Sequence, residues 1–325
     1  MYNIIWDVRF KNEANEIYTL ETVDSIEVTS SVDNLADTAI ITVPDAYMNQ
    51  VLSIQEQIQR GTYVIIKLGY DKKLETEFEG YIQDIQTNDF SIKIMCEDAL
   101  FLYRKSVQDV ELKPTSVTKI ANYINSQINP EYKVVCDYDI AYEKFVIHQA
   151  TGFDVLKKLA DETKANIYFD TAKKELHIHP AYVEKGGDVL YSMQHNIETS
   201  SLEYKRAIDR KNEITVESID KNGKVSSYTT GTTGGDKTTL KVGSVSEGDL
   251  KRIADSELSR RMFDGYEGSF DAWLIPVCKP TFSAKIVDKD YPEKTGIYYV
   301  KTVKTSISSS GGKRTVEPGI KLANG

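Results

Sequence analysis

The stretch from residue 147 to residue 180 changes its hydrophobic period in a way that few folds accommodate. Thr151 and Asp154 have the three-residue spacing at which a hydroxyl and a carboxylate cap the first turn of a helix. Beyond them, residues 166–169 and 175–179 alternate with the period of two that is typical of paired strands. The pattern therefore predicts a helix that leads into a β-hairpin. The predicted buried face of that helix consists of Val155, Leu156, Leu159 and Ala160.

The sequence before this stretch, from residue 1 to about residue 110, has a β-like pattern. Short polar turns separate the apolar runs, which predicts an antiparallel meander. Curling a meander into a barrel removes its exposed edges, so this part is predicted to be barrel-like. Residues 47–58 are predicted to form a short helix or a loop. The predicted strands lie at 25–29, 38–43, 61–70, 77–85 and 91–96.

Residues 111–183 differ in kind, because helices dominate their pattern. A second amphipathic helix is predicted to start at Pro114 to Ser116 and to stop at Asn129-Pro130. A short strand follows at 132–136. Together with the stretch described first, these elements predict a compact α+β domain. The apolar face of the second helix consists of Val117, Ile120, Ala121, Ile124 and Ile128.

Residues 184–325 return to a β pattern. A hairpin is predicted around Asn222-Gly223, and a flexible loop is predicted near residues 229–237, where glycine and threonine dominate. Ser246 and Asp249 predict the start of a third helix. A faint repeat is present, because the segments 79–96 and 296–322 share a Gly-Tyr strand, a polar turn and a return strand. Further strands are predicted at 212–217, 224–229, 269–275, 281–287, 296–307 and 314–322.

Composition excludes several functions. Forty Lys and Arg against forty-nine Asp and Glu give a net charge of −9, which argues against a general nucleic-acid binder, and we predict no sequence-specific binding of nucleic acid. No apolar run approaches the roughly 18 residues of a membrane span, and the first residues lack a signal peptide. Assembly in the cytoplasm is therefore expected, without membrane insertion. Cys96, Cys136 and Cys278 are predicted to be buried free thiols.

One pair of histidines raises the question of a metal site. His177 and His179 are two apart on a predicted strand, so their rings project from the same face. With His148 or Cys136 they could bind zinc. The alternative is that both histidines lie on the solvent face of the strand. Since no Cys-x-x-Cys or His-x-x-x-His pair supports a metal, we predict no metal site and no cofactor.

No catalytic motif emerges either. Residues 231–238 superficially resemble a phosphate-binding loop, but Asp236 precedes the lysine and the loop lies between strands. Acidic pairs such as Asp161-Glu162 are ordinary solvated residues in a chain with this many carboxylates. No nucleophile elbow is present. We therefore predict that the chain is not an enzyme.

Residues 148–163, HQATGFDVLKKLADET, form the central motif. This motif and the order of the parts resemble the baseplate hub family of contractile phage tails and related injection machines. That family includes the late control protein D group and the N-terminal hub region of VgrG spike proteins. Residues 39–44, 80–82 and 296–300 are similar to further strands of that family, whereas the sequence at 276–280 departs from its Pro-Gly turn. The motif residues are Gln149, Asp154, Leu156, Leu159, Ala160 and Glu162.

The resemblance implies a mainly β fold with an α+β insertion, in which two barrel-like tube domains flank a small α+β domain. The expected domains are 1–110, 111–183 and 184–325. The resemblance also implies a homotrimer whose six barrels form a ring between the tail tube, or a tube-initiator protein, and a spike. Since no repetitive extension follows Gly325, the spike is expected to be a separate protein. Other baseplate proteins are further expected partners, in a virion or tail-like particle.

The strands at 61–97 and 296–322 are the candidates for contacts with the tube and between subunits. An alternative from another class is a soluble, β-rich carbohydrate-binding module whose tyrosines stack on sugars. The candidate contact residues are Tyr63, Ile65, Tyr81, Gln83, Ile297, Tyr299 and Lys301.

Overall fold

The computed structural model describes residues 3–44, 58–71, 73–88, 91–182, 186–220 and 223–322. The predicted helix or loop at 47–58 lies, apart from Ile58, outside these residues. All five strands predicted in the first part are confirmed, and two strands near the start were not foreseen. The first half contains β1 (Ile4–Lys11), β2 (Ile17–Thr19), β3 (Ser25–Ser31), β4 (Thr38–Pro44), β5 (Tyr63–Tyr70), β6 (Lys73–Thr87) and β7 (Ser91–Glu97).

The middle part has the predicted helices and the predicted hairpin. Thr151 and Asp154 form a reciprocal capping box, and Ser116 caps the helix before it. Because these hydroxyls bind backbone N–H groups that the first helical turn leaves unpaired, both helices begin where the sequence indicated. The elements are a 3-10 turn (Ala99–Arg104), β8 (Val110–Leu112), β9 (Thr115–Ser116), α1 (Val117–Ile128), β10 (Lys133–Cys136), β11 (Ala141–Tyr142), β12 (Phe145–Ile147), α2 (Gly152–Thr163), β13 (Asn166–Asp170) and β14 (Glu175–His179).

The last part is again mainly β, with one helix that Ser246 caps through the N–H of Asp249. Its elements are β15 (Asp188–Ser192), β16 (Thr199–Ser200), β17 (Glu203–Lys205), a 3-10 turn (Ala207–Asp209), β18 (Asn212–Ile219), β19 (Val225–Gly231), β20 (Asp236–Val242), α3 (Glu247–Arg261), β21 (Gly265–Glu267), β22 (Phe270–Ala272), β23 (Ser283–Val287), a 3-10 turn (Pro292–Lys294), β24 (Gly296–Ser308) and β25 (Gly311–Lys321).

The flexible loop predicted near 229–237 is much shorter in the structure. Residues up to Gly231 belong to β19, and residues from Asp236 belong to β20. Threonine favours extended backbone, so these residues continue the strands. The actual turn, residues 232–235, contains Gly234 at a φ of +79°, a value that glycine adopts without strain.

One continuous sheet joins the two β halves. Within the described residues it contains fifteen strands, and its main path runs β16-β22-β25-β24-β3-β4-β7-β6-β5-β1-β2. The link between the halves is β3 paired with β24, in antiparallel register from Ile26↔Ile307 to Ser31↔Thr302. The chain is therefore mainly β, and its halves share backbone hydrogen bonds.

Three apolar cores lie under these elements. Six strands of the first half, β1 and β3 to β7, send buried residues into one cluster, as a curled sheet does. Leu274 and Ile307 of the second half complete that cluster. A second cluster lies among β15 and β21 to β25. Both β halves are thus barrel-like in their packing.

The third core crosses the expected boundary at residue 184. It unites the two central helices with residues of β18, β20 and α3, among them Ile214, Val216 and Ile253. The sheet β19-β18-β20 therefore packs on the middle part and not inside the second β half. None of the helices in the described ranges is long and apolar enough to cross a membrane.

Candidate functional site: the seam and the junction cleft

The contact of the two β halves along β3, β24, β6 and β25 is called the seam below. At its exposed rim, Lys304 Nζ lies 2.8 Å from Glu27 Oε1. Further in, Ser31 Oγ and Thr302 Oγ1 are 2.8 Å apart and share a hydrogen bond. Polar contacts therefore occur both at the rim of the seam and further inside. Charged groups in the interior need a partner, because burial of an unpaired charge is costly.

The innermost contact of the seam is an ion pair between Glu77 of β6 and Arg314 of β25. Arg314 Nη2 lies 2.7 Å from Glu77 Oε1, and Nη1 lies 3.1 Å from Oε2. The two side chains are 5% and 1% exposed. Such a two-pronged contact matches the planar fork of arginine to a carboxylate and fixes the orientation of both groups.

The remaining hydrogens of Arg314 also have partners. Its Nε and Nη2 donate to the carbonyl of Leu274, and Nη1 donates to the carbonyl of Cys278 and to Thr305 Oγ1. Thr305 in turn donates to Glu77 Oε2 at 3.1 Å. Both carbonyls lie in or next to the segment whose sequence departs from the family's Pro-Gly turn. The backbone carbonyls of that segment accept hydrogen bonds from the buried guanidinium of Arg314.

A cleft with a volume of 540 Å³ opens beside the seam and is called the junction cleft below. All three parts of the chain contribute to its wall, so it exists only in the assembled fold. Its ionisable lining residues are Asp37, Glu77, Glu79, Asp98, Asp170, Lys173, His177 and Lys279.

Two of these carboxylates lie close together without a full counter-charge. The backbone N–H of Asp37 donates to Asp98 Oδ2 at 2.9 Å, and the N–H of Ser31 donates to Asp37 Oδ1 at 3.1 Å. Burial raises the pKa of Asp37 to about 6, although the positive charge of Lys279 opposes the shift. Burial and the negative charge of Asp37 likewise raise the pKa of Asp98.

The histidines of β14 are buried, so the solvent-face interpretation was wrong. His177 is 8% exposed and His179 is 6% exposed. The His177 ring stacks on Tyr168 with 5.0 Å between ring centroids, and burial lowers the pKa of His177. His148 is not part of this group, because its Nδ1 lies 2.6 Å from Asp109 on the exposed surface.

The motif residues have structural roles in this chain. Asp154 completes the capping box, whereas Leu156 and Leu159 are fully buried. The N–H of Gln149 donates to Asp109 at 2.8 Å from a backbone with a φ of +47°. Glu162 is half-buried, which raises its pKa, and Ala160 is packed against the central core.

The candidate contact residues separate into two groups. Tyr299 is 2% exposed, and its ring packs on Tyr182 inside its own chain. The ring therefore has no free surface with which to contact a second subunit. The other six are partly exposed and keep their predicted role as a prediction. Tyr63 and Tyr81 pack edge-to-face with ring centroids 5.4 Å apart, and Lys301 lies 2.7 Å from Glu317.

Sequence reasoning missed the ion pair between Glu77 and Arg314. The two residues are 237 positions apart, so no local sequence pattern links them. The nearest signal was the segment at 276–280, where the chain departs from the family pattern. That signal pointed to the correct place but gave no hint of the buried charge.

The fold is that of a group of phage tail proteins and of a type VI secretion component. The chain is similar to the tail protein from Neisseria meningitidis MC58 with a TM-score of 0.68 and 14% identity, over 98% of this chain and 97% of that one. It is similar to the 43 kDa tail protein of prophage MuSo2 from Shewanella oneidensis, with a TM-score of 0.65 and 15% identity over 96% and 97%.

A third similar structure is an E. coli protein described as a component of the type VI secretion system. The TM-score is 0.62 and the identity 11%, over 98% of this chain and 77% of that one. No protein-family profile matches the sequence, and no curated protein matches it either. The solved structures confirm the predicted resemblance at the level of the fold.

Proposed function

We propose that this chain is a structural, non-enzymatic hub protein of a phage tail or a tail-like injection particle. One observation carries the proposal: the fold matches two phage tail proteins along nearly the whole of each chain. A match of this extent includes both β halves and the part between them. The E. coli protein extends the likeness to a secretion machine, which favours a shared assembly role over a shared chemistry.

The proposed assembly is a homotrimer that joins the tail tube to a spike. Each chain has two barrel-like halves, so three chains supply six similar units around one axis. Such a ring would match a sixfold tube on one side and a threefold spike on the other. The tube or tube-initiator protein, a separate spike protein and other baseplate proteins are the proposed partners, in a particle assembled in the bacterial cytoplasm.

The seam suits this role because strand pairing and a buried ion pair join the two halves. The β3–β24 ladder and the buried ion pair both resist sliding of one half past the other. A ring closes only if each subunit presents its two contact surfaces at a fixed angle. The seam would set that angle.

The carbohydrate-binding alternative receives little support from the aromatic residues. Most of the described tyrosines are buried or half-buried, and Tyr291 is the exposed one, at 53%. Trp273 is also exposed, at 50%, but it lies on a different segment. Sugar platforms need aromatic faces that are open to solvent and near one another.

Light scattering coupled to size exclusion, at micromolar concentration, tests the proposal. We expect the mass of three chains and a ring in the electron microscope, with interfaces above ~2,000 Å². Substitution of a half-exposed residue on a candidate strand, Ile65→Glu, should shift the mass toward the monomer. The matched control is Val146→Glu, at an exposed apolar residue of the central part, which should leave the mass unchanged.

Two results would contradict the hub proposal. One is a persistent monomer, both alone and after mixing with the tube protein. The other is specific binding on a glycan array without any ring, which would favour the carbohydrate-binding module.

A further inference from the structure

Three potential metal ligands come together on the face of the β13–β14 hairpin. Asp170 and Glu175 are register partners across the hairpin, and His177 follows Glu175 by two positions on the same face. One donor atom from each of the three lies within 4.8 Å of the other two. Asp170 and His177 also line the junction cleft, so solvent ions can reach the group.

A chain of hydrogen bonds runs into this group from the side. Asp137 Oδ1 is 2.6 Å from His179 Nδ1, His179 Nε2 is 3.0 Å from His177 Nδ1, and His177 Nε2 is 3.1 Å from Glu175 Oε2. Each of these three contacts joins two atoms that carry lone pairs, so each needs a hydrogen or a metal ion between them. Two neutral imidazoles supply only two N–H hydrogens.

One gap therefore needs an additional cation, either a proton or a metal ion. The gap at Glu175 is the one where a second carboxylate, that of Asp170, also points. A lone proton would satisfy one carboxylate there, whereas a divalent ion would neutralise both. The arrangement of charge favours the ion.

We propose that Asp170, Glu175 and His177 bind a divalent first-row transition ion such as Zn²⁺, through one carboxylate oxygen each and His177 Nε2. Ligand bonds of ~2.0–2.2 Å place neighbouring ligand atoms ~3.0–3.5 Å apart, so the observed Nε2–Oε2 separation already fits. A neutral imidazole with two carboxylates suits zinc or manganese better than calcium or magnesium, which prefer oxygen ligands alone.

The residues behind the proposed ligands fit the same assignment. A histidine that binds a metal usually donates its other ring N–H to an acceptor that fixes its orientation. With an ion on its Nε2, His177 would carry its hydrogen on Nδ1 and donate it to His179 Nε2, 3.0 Å away, and His179 Nδ1 would donate to Asp137 Oδ1, 2.6 Å away. His179 is thus a positioning residue, and the Tyr168 ring holds the plane of His177 from one side.

Lys173 is the competing cation at this place. Its Nζ lies 2.8 Å from Asp170 Oδ2, but its side chain is 70% exposed. Because the ammonium group is largely solvated, the lysine can swing away when an ion binds. Removing it should therefore strengthen ion binding, whereas removing a ligand should weaken it.

To test the proposal, the full-length protein is treated with a chelator, dialysed and then titrated. ZnCl₂ binding is measured by calorimetry, and Co²⁺ binding is measured by visible absorption. We expect one ion per chain. Asp170→Asn and Glu175→Gln should each weaken binding by at least ~10-fold, and His179→Gln should weaken it by ~10–100-fold. Lys173→Met should strengthen it, a gain that misfolding cannot produce.

The matched control is His148→Gln, because His148 also contacts a carboxylate at 2.6 Å but lies outside the group of Asp170, Glu175 and His177. It should bind the ion as the parent does. A Cys136→Ser background removes the half-buried thiol as a competing zinc ligand and should retain full binding.

Three outcomes would overturn the proposal. No saturable binding below about 1 mM Zn²⁺ would mean that a proton fills the gap. Undiminished binding in Asp170→Asn and Glu175→Gln would place the ion elsewhere, and loss of binding in Cys136→Ser would assign it to the thiol. None of these results bears on the ring, so the hub proposal is tested separately.

Discussion

Two sets of carboxylates in the wall of the junction cleft, Glu77 alone and Asp37 with Asp98, differ in how their charge is balanced. Glu77 faces the guanidinium of Arg314, which forms four further hydrogen bonds, to the carbonyls of Leu274 and Cys278 and to Thr305 Oγ1. Asp37 and Asp98 face mainly backbone N–H groups and each other. The first arrangement pairs its carboxylate with a full positive charge, whereas burial in the second raises the pKa of both aspartates. The buried charge of Glu77 is thus compensated by Arg314, whereas the buried charges of Asp37 and Asp98 are compensated only in part.

The largest expected effect comes from breaking the ion pair of the seam. Arg314→Met leaves Glu77 buried without its counter-charge, and the free energy of unfolding should fall by ~3–5 kcal/mol. Urea denaturation followed by circular dichroism measures the change. The matched control, Arg9→Met, breaks the exposed contact with Asp7 and should cost less than ~1 kcal/mol.

The double variant Glu77→Leu with Arg314→Met tests whether the stability lost in Arg314→Met comes from the unpaired carboxylate of Glu77. Replacing both partners by apolar residues removes the uncompensated carboxylate, so most of the lost stability should return. If the double variant is as unstable as Arg314→Met alone, the hydrogen bonds to Leu274 and Cys278, and not the charge pair, hold the seam together.

A smaller effect is expected from Thr305→Val, which keeps the shape of the side chain. It removes the hydroxyl that accepts from Arg314 and donates to Glu77. The free energy of unfolding should fall by ~1–2 kcal/mol, since two buried charged groups each lose one partner. No change in the denaturation midpoint would show that the two charged groups compensate each other without it.

The last predicted effect comes from Asp37, whose pKa is raised by burial. Here the substitution should raise the free energy of unfolding and not lower it. Asp37 has a folded pKa of about 6 against an ordinary value of 3.8, so the folded state binds this proton more tightly. Its stabilising contribution is therefore present at acid pH and is lost as the pH rises from about 4 to about 6. Asp37→Asn mimics the protonated side chain and removes this loss.

The variant Asp37→Asn should consequently exceed the parent in stability at pH 7.5, by up to ~3 kcal/mol for a pKa of about 6 against 3.8, and match it near pH 4. Urea denaturation at the two pH values measures this, with the exposed Asp24→Asn as the control. A variant less stable than the parent at pH 7.5 would mean that Lys279 and the backbone N–H groups compensate the charge of Asp37 fully.

The sequence determined the local elements well, because their causes lie within a few residues. The capping box of Thr151 and Asp154 and the apolar stripes of the two central helices define the helices, and alternation defines most of the strands. The same local motif carried the family resemblance, which the solved structures confirm for the fold.

Tertiary structure alone decided which elements share a core and where charge is buried. The sequence analysis placed residues 212–258 with the second β half, but Ile214 and Ile253 pack on the central part. It placed His177 and His179 in solvent, but both are buried. Alternation shows that one face of a strand differs from the other, yet it does not show what covers each face. Partners such as Glu77 and Arg314 meet only through the folded sheet, and no short-range rule links residues 237 positions apart.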